Sequence, residues 1–443
     1  MGEFRMTMRD FIKKLDKEGK LFRVDRKVDP KFEISSILKA LDGNAVYFSG
    51  VKGYDMPVVG GLCSSRELIA SGLGTTPERL MFKVADAIER KTKPSMAKTA
   101  PCQEVIEDDI SSLPALTHYA KDKTPYLTSS VVIANDPEYG HNLSIHRIMV
   151  TGKKRLVIRI CERDLWQYLK RAGGELDVAI ALGNDMSILV AEAVRVPIDV
   201  DEYEIANTLN PVKLVKAKTV DINVPADAEI IIEGRITNET DAEGPFVELT
   251  GKYDAIERQQ PVIEVKKVTR RKDAIYQALV GGSNEHKLLM GLPREPTIYN
   301  EVKKVCDCKN VSITPGGCSW LHAVVQISKK NPEDGMKAIE AAFKGHSSVK
   351  HVWIVDEDVD PFDFQQVEWS MATRFQGGRN MVVHKDAMGS SIDPSSEYME
   401  GCDRRKTTKI GFDCTIPSGK KRDDFTLVQA PMRIDLKKYG VKR

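Results

Sequence analysis

Short β-branched runs separated by Gly, Pro, Asn and Asp recur from Ala115 to about Pro296, and they limit what this chain can fold into. Many short strands with turn residues between them are typical of a barrel or a sandwich. Within this stretch, only Asp164 to Ala172 and Asp201 to Leu209 have helical spacing. The runs that we predict as strands are Ser130 to Ala134, Ser144 to Val150, Leu156 to Ile160, Val178 to Leu182, Ile188 to Ala191, Val212 to Lys216, Glu229 to Glu233, Val262 to Val268 and Ala274 to Leu279.

The segments on either side alternate between helical and strand-like patterns. Met8 to Glu18 has one apolar stripe, and Thr76-Pro77-Glu78 opens a later helix with an N-cap residue, a proline and an acid. Alternating strands and helices beyond Tyr299 predict a sheet with helices packed on it. The other predicted elements are Leu21 to Val24, Ala45 to Phe48, Ala323 to Ser328, Pro332 to Phe343, Val349 to Val355 and Asp363 to Arg374. The predicted fold class is α/β (α+β), and 443 residues suffice for about three domains, placed at 1–110, 111–300 and 301–443.

The composition excludes several classes of function. A net charge of +2 gives no general attraction to nucleic acid or anionic lipid, and no apolar stretch reaches the ~18 residues of a membrane span. Charges near the N-terminus argue against a signal peptide, so we expect a cytoplasmic protein. Cys306-Asp-Cys308 with Cys318 lacks usual zinc spacing, which favours reduced structural thiols over a metal site. The basic tail from Lys421 indicates a solvated or subunit-contacting end in preference to nucleic-acid binding.

Polar residues occur where a purely structural strand would not need them. In Asn142-Leu-Ser-Ile-His-Arg147, alternate residues share a face, so Asn142, Ser144 and His146 point one way and Arg147 the other. Polar partners on both faces are one interpretation, and an edge strand with a wet face is the other.

Two acidic segments are further candidates. In Glu243-Gly-Pro-Phe-Val-Glu248, two carboxylates beside an apolar patch can act as an acid and a base, although a turn with solvent-facing acids is the alternative. The cluster Asp199-Val-Asp-Glu-Tyr203 begins a helix, where the acids either cap the helix or provide a ligand for a hard cation.

Five motifs occur in an order that resembles a known family. They are Asn142-x-Ser-x-x-Arg147, Glu202-Tyr203, Glu243-Gly-Pro-Phe-x-Glu248, Asp356-Glu-Asp-Val-Asp-Pro361 and Thr408-Lys-Ile-Gly-Phe-Asp413. Together they resemble the UbiD family of prenylated-flavin-dependent decarboxylases over nearly the whole chain. The resemblance implies an N-terminal α/β domain, a central split β-barrel that binds the flavin, and a C-terminal α/β domain with oligomer contacts.

The resemblance also implies an activity and its cofactors. The activity is reversible, non-oxidative decarboxylation of an α,β-unsaturated or aromatic acid, with prenylated FMN, a divalent cation (usually Mn²⁺) and K⁺. A flavin prenyltransferase would supply the cofactor, and the protein would be a homo-oligomer, either a dimer or a hexamer. The implied catalytic residues are Arg147, Glu243 and Glu248, with Glu248 as proton donor. The implied cofactor-binding residues are Ser144, Ile145, His146, Arg147 and Lys409, and the implied metal ligands are Asn142, Asp164 and Glu202.

One position departs from the family pattern. The third metal ligand is commonly a histidine, whereas the matching stretch here is Cys161-Glu-Arg-Asp-Leu-Trp166. Asp164 falls at the expected place, and an aspartate is a good ligand for a hard cation.

The chain resembles archaeal members of the family, which suggests a substrate. These members include the decarboxylase of trans-anhydromevalonate 5-phosphate, so we expect this acid as substrate and isopentenyl phosphate as product in an archaeal mevalonate pathway. Lys252, Lys287 and Arg294 are candidate partners for the phosphate, with ordinary surface charge as the other interpretation. A polyprenyl-hydroxybenzoate-type decarboxylase of quinone synthesis and a catalytically silent flavin-binding module are the alternative functions.

Overall fold

The structure, a computed structural model, describes residues 5–254, 257–398, 405–426, 428 and 436–440. Its first region is a four-stranded sheet with helices around it. The elements are α1 (Met8–Lys17), β1 (Leu21–Val24), α2 (Glu33–Ala40), β2 (Ala45–Phe48), β3 (Val58–Gly60), α3 (Arg66–Gly72), α4 (Pro77–Glu89) and, from much later in the chain, β16 (Tyr276–Ala278). The sheet order is β1-β2-β3-β16, with β2 and β3 antiparallel and the outer pairs parallel. A capping box between Thr7 and Asp10 starts α1.

The second region is a closed antiparallel barrel, as the recurrent short strands predict. Its strands are β6 (Tyr126–Asp136), β7 (Gly140–Gly152), β8 (Arg155–Ile158), β9 (Leu176–Leu182), β12 (Ile230–Glu243) and β15 (Arg258–Arg270). They pair in the order β12-β9-β6-β7-β8-β15, and β12 also pairs with β15, which closes the barrel. β5 (Val105–Glu107) extends the sheet beside β15.

Further elements surround the barrel. They are β4 (Ser95–Met96), α5 (Asp164–Arg171), α6 (Met186–Ala191), α7 (Glu202–Leu209), β10 (Lys213–Lys216), β11 (Asn223–Pro225), β13 (Phe246–Val247) and β14 (Tyr253–Asp254). Alternate strand residues divide between two hydrophobic clusters: Val131 and Ile231 pack with α6 and α7, while Val132 and Ile232 join Ile263 from another strand. This alternation buries both faces of the barrel wall.

The third region is a six-stranded sheet with helices packed on it. Its elements are α8 (Asn284–Gly291), α9 (Glu295–Val302), β17 (Asp307–Ile313), β18 (His322–Ser328), α10 (Asp334–Gly345), β19 (His351–Asp356), α11 (Phe364–Arg374), β20 (Met381–Gly389), β21 (Glu397–Tyr398) and β22 (Arg405–Asp413). The order is β17-β18-β19-β22-β20, and β21 pairs with β22. Asp356 and Asp358 bind the fully buried Arg374 at 3.0 and 2.8 Å, so this acidic motif holds α11 against β19.

Two of the secondary-structure predictions are wrong. Ile188 to Ala191 is helical in α6, and α8 lies within the stretch where we predicted only two helices. Every residue of α6 is buried, so its sequence is apolar on all sides and its periodicity cannot distinguish a helix from a strand.

Three further sequence features are the cysteine cluster, the basic tail and the lack of a long apolar stretch. Cys306, Cys308 and Cys318 are free thiols. Most of the basic tail beyond Thr426 lies outside the described residues. In the described part of the chain, no helix combines the length and apolar character needed to cross a membrane.

Candidate active site

Strand β7 carries the central residues of the candidate site. The Ser144 hydroxyl lies 2.9 Å from His146 Nε2 and 3.3 Å from Asn142 Oδ1, so the three side chains share one face as predicted. His146 Nδ1 donates to the carbonyl of Arg159, and burial lowers the pKa of His146 to about 4. The imidazole is therefore neutral at physiological pH. β7 pairs with β6 and β8, so the edge-strand interpretation is wrong.

Arg147 is clamped between the two glutamates. Its Nε and Nη2 atoms donate to Glu243 Oε1 and Oε2 at 2.9 and 2.8 Å, and Nη1 donates to Glu248 Oε1 at 2.5 Å. Asp254 Oδ2 lies 3.4 Å from Nη2. The side chain of Glu243 is 0% exposed and that of Glu248 is 25% exposed. The interpretation of both acids as solvent-facing is therefore wrong.

The surroundings keep Arg147 charged. Burial disfavours the guanidinium, but Glu243, Glu248 and Asp254 together raise the pKa of Arg147 above its usual value. The ring of Phe246 lies under the guanidinium, 4.9 Å from its carbon. Tyr126 donates its hydroxyl to Glu243 at 3.4 Å, and burial raises the pKa of that phenol.

The local chain path explains why the two acids converge. β12 ends at Glu243, a cis Gly244–Pro245 bond follows, and β13 begins at Phe246. The loop before α8 packs on this turn: Gly282 has a φ of +69°, and a Cβ there would lie 3.1 Å from the carbonyl oxygen of Glu248. A glycine at this position lets the loop approach the hairpin closely.

A second polar group lies at the start of β7. Asn142 Nδ2 is 3.4 Å from Glu202 Oε1, and the backbone N–H of Leu143 donates to Glu202 Oε2 at 3.0 Å. Asp201 caps α7 by accepting from the N–H of Tyr203, so capping explains one acid of this cluster while Glu202 points inward. Burial raises the pKa of Glu202 well above its usual value, and a bound cation would offset that cost.

Asp164 begins α5 and is half-buried near this group. Burial raises its pKa, and its charge in turn raises the pKa of Glu202, so the two carboxylates lie within electrostatic reach of each other. Among the described residues, no three His, Cys, Asp or Glu side chains converge as metal ligands. The candidate set here combines two carboxylates with the amide of Asn142, a mixture that suits a hard cation.

Lys409 lies on β22, in the third region. Its Nζ donates to the carbonyl of Ser347 at 2.6 Å, and burial lowers its pKa to about 8. Arg195, which follows α6, donates to the Ser347 hydroxyl at 3.4 Å. Ser347 therefore links the barrel region to the strand that carries Lys409.

The structure adds residues that the motifs did not identify. Asp254 and Tyr126 join the Arg147 network. Glu192 accepts from the N–H of Ile145 at 2.8 Å, and burial raises its pKa to about 8. A carboxylate inside the apolar run Ser187 to Val194 was the available signal for this residue. Arg294 is only 7% exposed, so the interpretation of its charge as ordinary surface charge is wrong.

Comparison with known proteins finds matches over nearly the whole chain. Three consecutive segments match family models of 3-octaprenyl-4-hydroxybenzoate carboxy-lyase. Residues 12–88 match its N-terminal domain, residues 93–284 its Rift-related domain, and residues 287–414 its C-terminal domain.

Individual relatives extend over nearly the full length. The anhydromevalonate phosphate decarboxylase of Methanothermobacter thermautotrophicus is 42% identical over 418 residues, which is 93% of this chain and 97% of that protein. The UbiD-class enzyme HmfF from Pelotomaculum thermopropionicum, solved with FMN, has a TM-score of 0.92 and 40% identity, covering 98% of this chain and 99% of that one. An evolved dimeric form of HmfF, solved with prenylated FMN, has a TM-score of 0.89 and 38% identity, covering 98% and 100%.

Proposed function

The chain belongs to the UbiD family of carboxy-lyases, and from this premise we propose that it decarboxylates trans-anhydromevalonate 5-phosphate to isopentenyl phosphate with prenylated FMN. The observation that carries the proposal is the Glu243–Arg147–Glu248 clamp in a chain 42% identical to an anhydromevalonate phosphate decarboxylase. The similarity to an anhydromevalonate phosphate decarboxylase supports this choice of substrate. The FMN and prenylated FMN complexes of HmfF support this choice of cofactor.

The residues present fit a flavin phosphate with a divalent cation. Asn142, Asp164 and Glu202 offer oxygen ligands, and Glu202 is a buried carboxylate whose described partners are one amide side chain and one backbone N–H. We propose that these three side chains hold Mn²⁺ or another divalent cation beside the cofactor phosphate, with K⁺ nearby. Ser144, Ile145, His146 and Arg147 would line the bound flavin, and Lys409 would bind the cofactor from the third region.

The chain's own residues then have separable tasks. When bound, prenylated FMN supplies the electron sink that no amino-acid side chain provides. Arg147, fixed by Glu243, orients the substrate carboxylate. Glu248 Oε1 is occupied by Arg147, whereas Oε2 accepts no hydrogen bond from the described residues. We assign to Oε2 the proton that is returned to the carbon after CO₂ leaves.

The decisive test is turnover of protein made with and without a flavin prenyltransferase in the same cell. We expect CO₂ and isopentenyl phosphate from trans-anhydromevalonate 5-phosphate only when extracted cofactor has the mass of prenylated FMN. Activity on a hydroxybenzoate with none on the phosphorylated acid would move the assignment to the quinone branch. Full cofactor occupancy without turnover of either acid would support the silent flavin-binding module.

We also propose that the protein is a homo-oligomer, a dimer or a hexamer. The relative HmfF has a dimeric form. Among the described strands, β20 lies at the edge of its sheet, and its side chains Met381 and Val383 are 39% and 42% exposed. An edge strand with apolar side chains favours association with another chain. Light scattering on a size-exclusion column distinguishes monomer, dimer and hexamer.

A further inference from the structure

Arg294 is a buried cation that makes no ion pair with any described residue. It is 7% exposed, and its Nε has no hydrogen-bond partner in the described part of the chain. The guanidinium carbon lies 5.5 Å from the centre of the Trp320 ring. Because burying an unpaired charge is costly in free energy, a site that retains one commonly receives the opposite charge from a ligand.

Other cations surround Arg294. Burial, followed by the like charges of Arg163 and Arg195, lowers the pKa of Arg294 below its usual range. His346 stacks edge-on against Trp320, and burial together with Arg294, Lys409 and Arg163 lowers its pKa well below the usual value. Positive charge is therefore concentrated around Arg294, near the start of α5 and the end of α6. Such a concentration of charge attracts an anion.

The anions already proposed for the site do not balance this charge. Glu192 and Asp164 are the carboxylates whose charges act on Arg294. Burial raises the pKa of Glu192 to about 8, so it is mostly neutral at pH 7, and Asp164 with Glu202 would be neutralised by the divalent cation. One flavin phosphate offsets about two of the four charges on Arg163, Arg195, Arg294 and Lys409. K⁺ would only increase the excess. The remainder, about two positive charges, equals the charge of a second phosphate monoester.

The position of Arg294 relative to the clamp suits one small substrate. His286 lies near the clamp: it accepts from the N–H of Gly282, and burial followed by the charge of Arg147 lowers its pKa to about 4. Arg294 follows along α8 and the short 3₁₀ turn Leu292–Arg294, which is roughly 12 Å further at 1.5 Å per residue. An extended five-carbon acid with a terminal phosphate has six bonds from its carboxyl carbon to phosphorus, which span about 7–8 Å because an extended chain advances roughly 1.2 Å per bond. The flexible side chain of Arg294 covers the difference.

We propose that Arg294, assisted by Arg163 and Arg195, binds the phosphate of a phosphomonoester substrate whose carboxylate lies at the Arg147–Glu248 end of the site. This inference rests on the proposed function and deepens it, because it assigns the residues that select a phosphorylated acid over an unphosphorylated one. It leaves the cofactor phosphate to the Asn142, Asp164 and Glu202 group and to Lys409.

The test compares two acids on loaded enzyme: trans-anhydromevalonate 5-phosphate and the same acid without phosphate. The proteins are the unmodified chain, Arg294→Gln, Arg294→Lys and the matched control Arg79→Gln, which changes an exposed arginine on α4. We expect Arg294→Gln to lower kcat/KM about 10- to 100-fold for the phosphorylated acid, mainly through KM, and to leave the unphosphorylated acid unchanged. Arg294→Lys should recover part of the loss, Arg79→Gln should change nothing, and inorganic phosphate should inhibit Arg294→Gln less strongly than the unmodified enzyme.

Three results would overturn the inference, and they differ from one another. Equal losses on both acids would make Arg294 structural. Loss of extracted flavin in Arg294→Gln, with the preference for the phosphorylated acid retained, would assign Arg294 to the cofactor phosphate. If the unmodified, fully loaded enzyme turned over neither acid, the proposed function itself would fail. Thermal unfolding of each variant, expected at or above the unmodified value for Arg294→Gln, separates misfolding from these outcomes.

Discussion

Substituting each glutamate of the clamp by glutamine should separate catalysis from stability. Glu248→Gln keeps a carbonyl oxygen for Arg147 but removes the proton that the carboxylic acid delivers. General acid catalysis typically contributes ~10²–10⁴-fold, so we expect turnover to fall by about that factor. The side chain is 25% exposed, so the free energy of unfolding should change by about 1 kcal/mol or less.

Glu243→Gln should behave in the opposite way. Glu243 is 0% exposed and accepts two hydrogen bonds from Arg147, and an amide can accept only one of them. Leaving a buried guanidinium donor without its partner costs roughly 2–4 kcal/mol of unfolding free energy. We expect a smaller loss of turnover than in Glu248→Gln, because Arg147 keeps one hydrogen bond from this position.

The assay is turnover per extracted prenylated FMN for both variants, with urea unfolding of the same preparations. Asp254→Asn is a useful companion, since Asp254 touches the same guanidinium at the longer distance of 3.4 Å and should change both quantities less. Near-normal turnover of Glu248→Gln at equal cofactor content would refute the assignment of the proton to Glu248. His146 would be a poor replacement, because burial lowers its pKa to about 4 and leaves it unprotonated at neutral pH.

Further predictions concern the metal group and Lys409. Glu202→Ala or Asn142→Ala should reduce manganese and flavin content together, measured by elemental analysis and cofactor extraction, and unchanged contents would remove the residue from the ligand set. Asp164→Ala should act in the same direction and Asp164→His should be tolerated, whereas manganese content unaffected by Asp164→Ala would exclude it as a ligand. Burial lowers the pKa of Lys409 from 10.5 to about 8, so the native state binds this proton less tightly than the unfolded chain. Its stability should therefore rise as pH increases from about 8 towards 10.5, and Lys409→Met should lose that rise in urea unfolding; an identical pH profile would contradict the shift.

The sequence predicts the barrel and the clamp better than it predicts the cluster of Arg163, Arg195, Arg294 and Lys409. The set of Glu243, Arg147 and Glu248 follows from the family resemblance, because Arg147 lies 96 residues from Glu243 and local spacing alone does not bring them together. Arg294 has no such signal, because its surroundings, which include the Trp320 ring and the charges of Arg163 and Arg195, come from distant segments of the chain. Helix α6 was missed for a related reason: its environment, apolar on every side, comes from tertiary packing. Local patterns therefore identified the strands and the polar motifs, the resemblance joined the motifs into a site, and contacts between distant segments determined the rest.

The pairing of β3 with β16 affects how the protein can be made. Residues 58–60 hydrogen-bond to residues 276–278, so the first sheet is completed by a strand that follows the barrel. At about 5–20 residues per second, a ribosome needs roughly 10–40 s between the two strands. During that time β3 presents an open edge, which is the kind of surface that chaperones protect and that aggregation exploits. Such long sequence separation also raises the contact order and slows folding. An N-terminal fragment that ends before β16 would therefore be a poor candidate for independent expression.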